Sequence, residues 1–479
     1  MDKKNDLSFN EFSALSKEQW KEKVLKDLKG KAYESIIWEN ENGFSLEPYF
    51  SAEEVDLSQG VPGEFPYERG GDTNNRHWQI CQEIFDNNPK KANEKAHQAL
   101  MGGATALWFR APVQKAEDVA ALLKDVVLDV APIYLEGGTS PIEIVKEISS
   151  LCDNQSVKSH ALSGGLNYDP LGEISEQGGE KDKNWKSTLL DLSAFAREKF
   201  TLFHTVNVDS TLFQEAGATA AEELGLALAK GNEYLELMKA AGQEIDSAAA
   251  QLQFTMAIDS SYFTEMAKFR AFRPLWATVV KAHEPKHECS TYSFVSARTS
   301  QRNFTVPDAY NNMVRSTTEG MSAILGGVNA VSILPFDHLF DEENGFSMRI
   351  ARNLQTMLAE ESFLNQVVDP AGGSYYIEEM TGQLKVKAWK LFQEIEKAGG
   401  YLEALQSGMI QNLLKSSRDS FLKRVELEKE TLIGVNKYFN QEDEVRTPKT
   451  IDEKDTVGDF EPVKRIFPGL EVSTQSEKV

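Results

Sequence analysis

The chain has 479 residues, 41% hydrophobic and 26% charged, with a formal net charge of −23 and a pI near 4.9. So acidic a surface repels phosphate backbones and argues against sequence-independent nucleic-acid binding. No run approaches the roughly 18 apolar residues that span a bilayer, and the start, MDKKNDLSFNEF, has no apolar signal core. Cys81, Cys152 and Cys289 form no Cys-x-x-Cys pair. Together these features predict a cytoplasmic protein with free thiols and no membrane partner.

Residues 1–60 read as an arm with little core of its own: an amphipathic helix in SKEQWKEKVLKDLKG, then an extended stretch, IIWENENGFSLEPYFSAEEV. Its apolar residues Trp20, Ile36, Ile37, Trp38, Phe44 and Phe50 are expected to cover this chain's own body or a partner. From about residue 100, strand-like runs alternate with helical stretches. The runs are ATALWFRA (104–111), APIYLEG (131–137), ALSGGLNYD (161–169), FTLFHTVNV (200–208), FTMAID (254–259), STYSFVSAR (290–298), AVSILPFD (330–337) and VVDPAGGSYYIEE (367–379). Apolar stripes of helical period fill 307–327 and 346–363. Eight alternations predict an α/β fold, a TIM (β/α)8 barrel over roughly 100–380. Its axis is expected to be filled by bulky side chains including Leu107, Phe109, Tyr134, Phe294 and Ile333. Residues 381–438 read as helical, and from Gln441 the polar composition predicts a flexible or partner-docked tail. The expected division is an arm over 1–60, a barrel with flanking helices over 61–440 and a tail over 441–479.

The stretch VDSTLFQEAGAT (208–219) is a strand-to-helix corner, where α/β enzymes place catalytic groups, yet it offers only Thr211, Leu212 and Phe213. Asp259, and Asp337 beside His338, could serve acid-base chemistry or simply cap helices. The glycines of GGLNYDPLG and DPAGGS could cradle phosphate, but without a P-loop lysine they read as turn glycines. His283 and His287 have i,i+4 spacing for zinc, but Pro285 between them argues against the helix this needs.

Several stretches resemble the cobalamin-dependent methylmalonyl-CoA mutases: PGEFPYERGG (62–71), QEAGA (214–218), FTEMAKFRAFRPLW (263–276), DAYNNMVRSTTEGMSA (308–323), FSMRIARNLQTMLAEESFLNQVVDPAGGSYYIEEMT (346–381) and LIGVNKY (432–438). The resemblance implies a TIM barrel with acyl-CoA along its axis and a corrin over the strands' carboxyl ends. It also implies a radical rearrangement in which the cofactor performs the hard chemistry. In catalytic relatives the corner carries a Tyr-His pair, which falls here on Thr211 and Leu212. An arginine and a substrate-holding tyrosine fall on Cys81 and Glu83, and a polar glutamine on Asn329, while Trp78 is kept. Arg298 is the retained candidate for a CoA contact. None of the seven histidines lies in the Asp-x-His-x-x-Gly motif that ligates cobalt, and about 40 residues follow LIGVNKY, so no cobalamin-binding domain is expected. The resemblance thus implies a small, non-catalytic subunit paired with a homologous large catalytic subunit that holds adenosylcobalamin. The alternative is a barrel subunit of an active acyl-CoA mutase that uses cobalamin bound to a separate protein.

Overall fold

Short β-branched and aromatic segments between helices pair edge to edge until no edge remains. The computed structural model describes residues 15–466 apart from 52–53, 55–59, 75, 114, 445 and 450–454. A small antiparallel pair, β1 (Trp38–Glu39) and β2 (Ser45–Leu46), precedes eight parallel strands. These are β3 (Gln79–Ile84), β4 (Ala106–Phe109), β5 (Ile133–Glu136), β6 (Ser163–Tyr168), β7 (Leu202–Asp209), β8 (Leu252–Ile258), β9 (Phe294–Thr299) and β10 (Ala330–Ser332). They close in chain order, with β10 paired back to β3 through Val331 opposite Ile80. Helices wrap the outside, giving the expected TIM barrel; among the described residues the β1–β2 pair is the other sheet, and no cobalamin-type domain is seen.

Two expectations shift by one strand. The first strand is β3, whose sequence QICQEI has no apolar run, and the barrel therefore closes at Ser332. Residues 367–379 are a turn at Asp369–Gly373 followed by the helix Tyr375–Lys397. The anticipated helices 307–327 and 346–363 are Asn311–Gly326 and Gly345–Glu360. Past Glu426 the chain leaves its helix, so 427–438 is not helical.

The axis and the mantle have separate cores. Cys81, Ala106, Trp108 and Tyr134, with Phe294 packed on them, form the axial cluster. Leu107, Phe109 and Ile333, expected inside, instead face the helices in the large outer core. Parallel barrel strands are buried on both sides, so hydrophobicity alone does not fix the parity.

The stretches resembling the mutases meet at the strands' amino ends. Arg69 and Arg270 both pair with Asp369, and Arg270 also pairs with Glu378 at 2.7 Å. Arg273 donates to the carbonyls of Tyr67, Glu68, Gly326 and Gly327, tying PGEFPYERGG to the end of a barrel helix. Gly327 takes φ +99, and a Cβ there would collide with the Arg273 guanidinium.

The arm divides in two. Phe44 and Leu46 belong to the barrel's own core, and Asn42 accepts from Ala221 N at 2.8 Å. The helix Lys17–Asp27, closed by a Ser16–Gln19 capping box, buries none of its residues. In the tail, the backbone amides of Val457, Phe460, Val463 and Ile466 donate to carbonyls of Gln177, Gly178, Ser175 and Glu215. Gly178 and Gly179 leave room that any Cβ would take from this segment. The described tail therefore docks on its own barrel, and residues 1–14 and 467–479 lie outside the described residues.

Replacing Arg270 by Ala leaves Asp369 and Glu378 buried with a lost partner, at a cost of about 3–5 kcal/mol. Denaturant unfolding is expected to show that loss; a change below about 1 kcal/mol would mean the network is not holding the barrel's floor.

Candidate functional site

Alternation along β3 turns Ile80 and Ile84 outward and Cys81 and Glu83 toward the axis. Glu83 stands near the strands' carboxyl ends, where TIM barrels assemble their sites. Its Oε1 accepts from Arg298 Nε at 2.7 Å and from Ser332 Oγ at 2.6 Å. Its Oε2 accepts from Arg298 Nη2 at 3.2 Å and lies 3.5 Å from Arg110 Nε. Both Glu83 and Arg298 are almost fully buried, 3% and 4% exposed. Burial alone would raise the Glu83 carboxyl, but Arg298, Arg110 and Ser332 hold it down to about 2. It therefore stays ionised at physiological pH and has no proton to exchange.

The lattice continues around the mouth. Arg110 lies over the Trp108 ring, 4.5 Å from its centroid, and donates to Glu136 at 2.9 Å. Glu136 also accepts from Trp108 Nε1 at 2.9 Å. Asn167 accepts from Gln253 at 2.8 Å, and below it Tyr134 donates to Gln79 at 2.7 Å. The room left on the axis is a cavity of about 10 Å³ lined by Cys81, Trp108, Tyr134 and Gln253, space for about one water molecule. A larger cleft of about 830 Å³ opens to one side between Gly137, Tyr168, Trp185 and Arg465. Two of its cations are tied down, Arg110 to Glu136 and Arg465 to Glu176 and Glu215, while Lys181 on its rim is 67% exposed and 3.9 Å from Asp455.

The corner after β7 is closed. Thr211 turns back so that its N and Oγ1 donate to Asp209 Oδ1 at 2.9 and 2.6 Å. Ser210 Oγ donates to Glu223 at 2.9 Å, and Thr211 and Leu212 are 3% and 4% exposed. Asp259, Asp337, His338 and His283 each have a structural partner. Asp259 pairs with Arg302 and accepts from Gln214 at 2.6 Å. Asp337 accepts from Asn344 at 2.8 Å, while His338 lies against the Phe85 ring. His283 bonds Asn232 at 2.9 Å, and among the described residues no cluster is placed to hold a metal ion. Asn329 sits at the barrel floor, donating to Tyr292 at 2.6 Å and accepting from Val295 N at 2.9 Å. Arg110 and Glu136 were not singled out by sequence; a lone glutamate ending IYLE carries no local signal.

A sequence profile described as methylmalonyl-CoA mutase matches residues 111–464. The chain belongs to the methylmalonyl-CoA mutase family. Its relatives include the methylmalonyl-CoA mutase small subunit of Porphyromonas gingivalis, 34% identical over 449 residues, 92% of this chain and 72% of that protein. The small subunit of Streptomyces virginiae is also 34% identical, over 89% of this chain and 71% of its own length. The large subunit of the same organism is 29% identical over 463 residues, 90% of this chain and 63% of its own. The family implies adenosylcobalamin, and the residues at this mouth do not fit it. A corrin over the strand ends needs groups that face it, whereas Thr211 and Leu212 are buried and the ring's carboxylates face their own cations.

Glu83 has a folded pKa, about 2, below the unfolded glutamate value of about 4.3. Its contribution to stability is then full above about pH 5 and is lost as pH falls from there toward 2. E83Q is expected to lower stability at pH 7 by about 3 kcal/mol, because Arg298 stays buried with only Glu215, 3.8 Å away, as a carboxylate partner, and to flatten the acid limb of the stability profile. An acid limb as steep as that of the native chain would contradict the assignment.

Proposed function

We propose that this chain is the small, non-catalytic subunit of an adenosylcobalamin-dependent methylmalonyl-CoA mutase, the enzyme that interconverts methylmalonyl-CoA and succinyl-CoA. In this reading it acts in the cytoplasm, and a homologous large subunit holds both substrate and corrin. The small-subunit relatives support the subunit type. The observation that carries the non-catalytic role is the Glu83–Arg298 pair set above an aromatic cluster, leaving about 10 Å³ on the axis that acyl-CoA would follow.

Catalysis needs interactions stronger in the transition state than in the ground state. A mouth whose charges already satisfy one another has none to offer. For Arg298 to turn to a CoA ester it would have to give up part of its pairing with Glu83, leaving that buried carboxylate to Arg110 and Ser332. The chain's role is then to stabilise its partner. The helix Lys17–Asp27, which has no fully buried residue and touches this chain through Trp20 on Tyr49 and Lys17 on Glu54, is the part of the arm with most surface left for that partner, since Phe44 and Leu46 are held in this chain's own core.

Two outcomes follow. Titrated with adenosylcobalamin, the purified chain is expected to leave the corrin spectrum unchanged and to show no mutase activity. Tight binding with a displaced lower axial ligand would sink the reading. Co-expressed with the large subunit, the full chain is expected to co-elute as a stable heterodimer, and a chain lacking residues 1–30 to bind it more weakly while melting at the same temperature. A full-length chain that elutes alone beside its homologue at micromolar concentration would refute the partner role.

A further inference from the structure

Outside β8 and β9 the mantle buries more carboxylates than cations. Glu223, Glu265, Asp259 and Glu319 are 0%, 2%, 8% and 1% exposed, and the cations set among them are Lys268 and Arg302, 0% and 4% exposed. Lys268 lies between Glu223, at 2.8 Å, and Glu265, while Arg302 pairs with Asp259. Three carboxylates are thereby matched. Among the described residues no cation lies within pairing distance of the fourth, Glu319.

Glu319 is on the helix Asn311–Gly326. Its Oε1 accepts from the Asn303 amide at 3.2 Å, and its Oε2 is buried with no hydrogen-bond partner. Arg315, one turn earlier, gives its guanidinium to Thr305, Asn312 and the Ile433 carbonyl. From other elements, the charges that act on Glu319 most are Asp259 after β8 and Glu265 on the helix Tyr262–Ala282, both of its own sign. Helix Gly345–Glu360 and β10 meet the adjoining Gly320 with Leu354, Leu358 and Ile333, none of them charged. Ser316 Oγ, one turn before Glu319, is also buried without a partner. Burial first, and then Asp259, push the Glu319 carboxyl well above the ordinary carboxylate range.

An ionised carboxylate in this place would be a buried charge held by one neutral amide. Such a group neutralises itself by keeping its proton. We propose that Glu319 keeps its proton in the folded chain, and that this carboxylic acid is a pH-sensitive latch between the helix Asn311–Gly326 and the turn after β9. The neutral acid also gains an O–H donor that a carboxylate lacks. Asn303 follows Arg302, which donates to the carbonyls of Gln214 and Ala218 at 3.1 and 3.3 Å. The latch therefore reaches the closed corner at QEAGA. Loss of the proton leaves a bare charge beside Asp259 and Glu265 and weakens the hold. Folding then keeps a proton that the unfolded glutamate, with a pKa of about 4.3, gives up. The contribution to stability is full at acid pH and is lost as pH rises from about 4 toward the raised folded value.

The full chain and its E319Q variant test this, since glutamine is the neutral stand-in for the acid. Infrared difference spectra at pH 7 are expected to show the carbonyl stretch of one protonated carboxylic acid in the wild type that E319Q lacks. In denaturant unfolding between pH 6 and pH 8, the wild type's folding equilibrium is expected to fall more than that of E319Q. The excess is about tenfold for each pH unit over which the folded acid stays protonated. A missing band, or equal pH dependence in the two chains, overturns the proposal. If E319Q does not fold, N303A carries the test: the acid's band is expected to shift when the amide is lost, and an unshifted band overturns the latch. A wild-type stability that follows sodium or potassium concentration in place of pH would put a cation on Glu319 and overturn the proton.

Discussion

Glu83 and Arg298 sit face to face on the barrel axis, and the character of the site follows from that pair. Two opposite charges that are both almost completely buried persist together because each is compensated, Glu83 by Arg298 and Arg110 and Arg298 by Glu83 and Glu215. Ser332 binds the same carboxylate, Arg110 leans on it and then bonds Glu136, and Glu136 gathers Trp108. A barrel that once admitted a polar ligand would hold polar side chains facing inward. Once the ligand is given up, those side chains must find partners among themselves. The ring seen here is a lining whose charges are paired with one another, as the proposed non-catalytic reading requires.

The stretches that mark the family lie largely away from that ring. Arg69, Arg270 and Asp369 are separated by hundreds of positions yet form one buried network, and Arg273 binds four backbone carbonyls across the floor. Glu223, Glu265 and Lys268 form a second fully buried cluster in the mantle. Removing one member of such a network strands a charge, so substitution at these positions is costly to the fold whatever happens at the mouth.

Seven of the eight barrel strands were legible in the sequence because turns and helical stripes punctuate it; the first was not, and a turn and helix at 367–379 stood in its place. QICQEI was overlooked because its inward residues are those of the polar ring, and a strand lining a polar axis does not read as an apolar run. VVDPAGGSYYIEE has strand-like composition, yet its Asp-Pro and Gly-Gly pairs make a turn, and Tyr375 opens a helix. The inside-outside choice failed for Leu107 and Phe109 and held for Tyr134 and Phe294, as expected when both faces of a strand are buried. At the site, the resemblance led to the expectation that Thr211, Leu212, Cys81 and Glu83 stand where catalytic relatives carry other groups, but the pairing of Glu83 with Arg298 was hidden. Glu83 and Arg298 are 215 positions apart, and only the closing of β10 onto β3 brings their strands within reach of one another.

On the proposed reading the axis of this chain is closed to acyl-CoA. Counting ligand sites tests it most directly. Calorimetric titration of methylmalonyl-CoA into the purified heterodimer should give one site per complex, with no heat of binding to this chain alone. Two sites per complex, or saturable binding to the isolated chain that is lost in a variant bulked at the mouth such as S332F, would contradict the account.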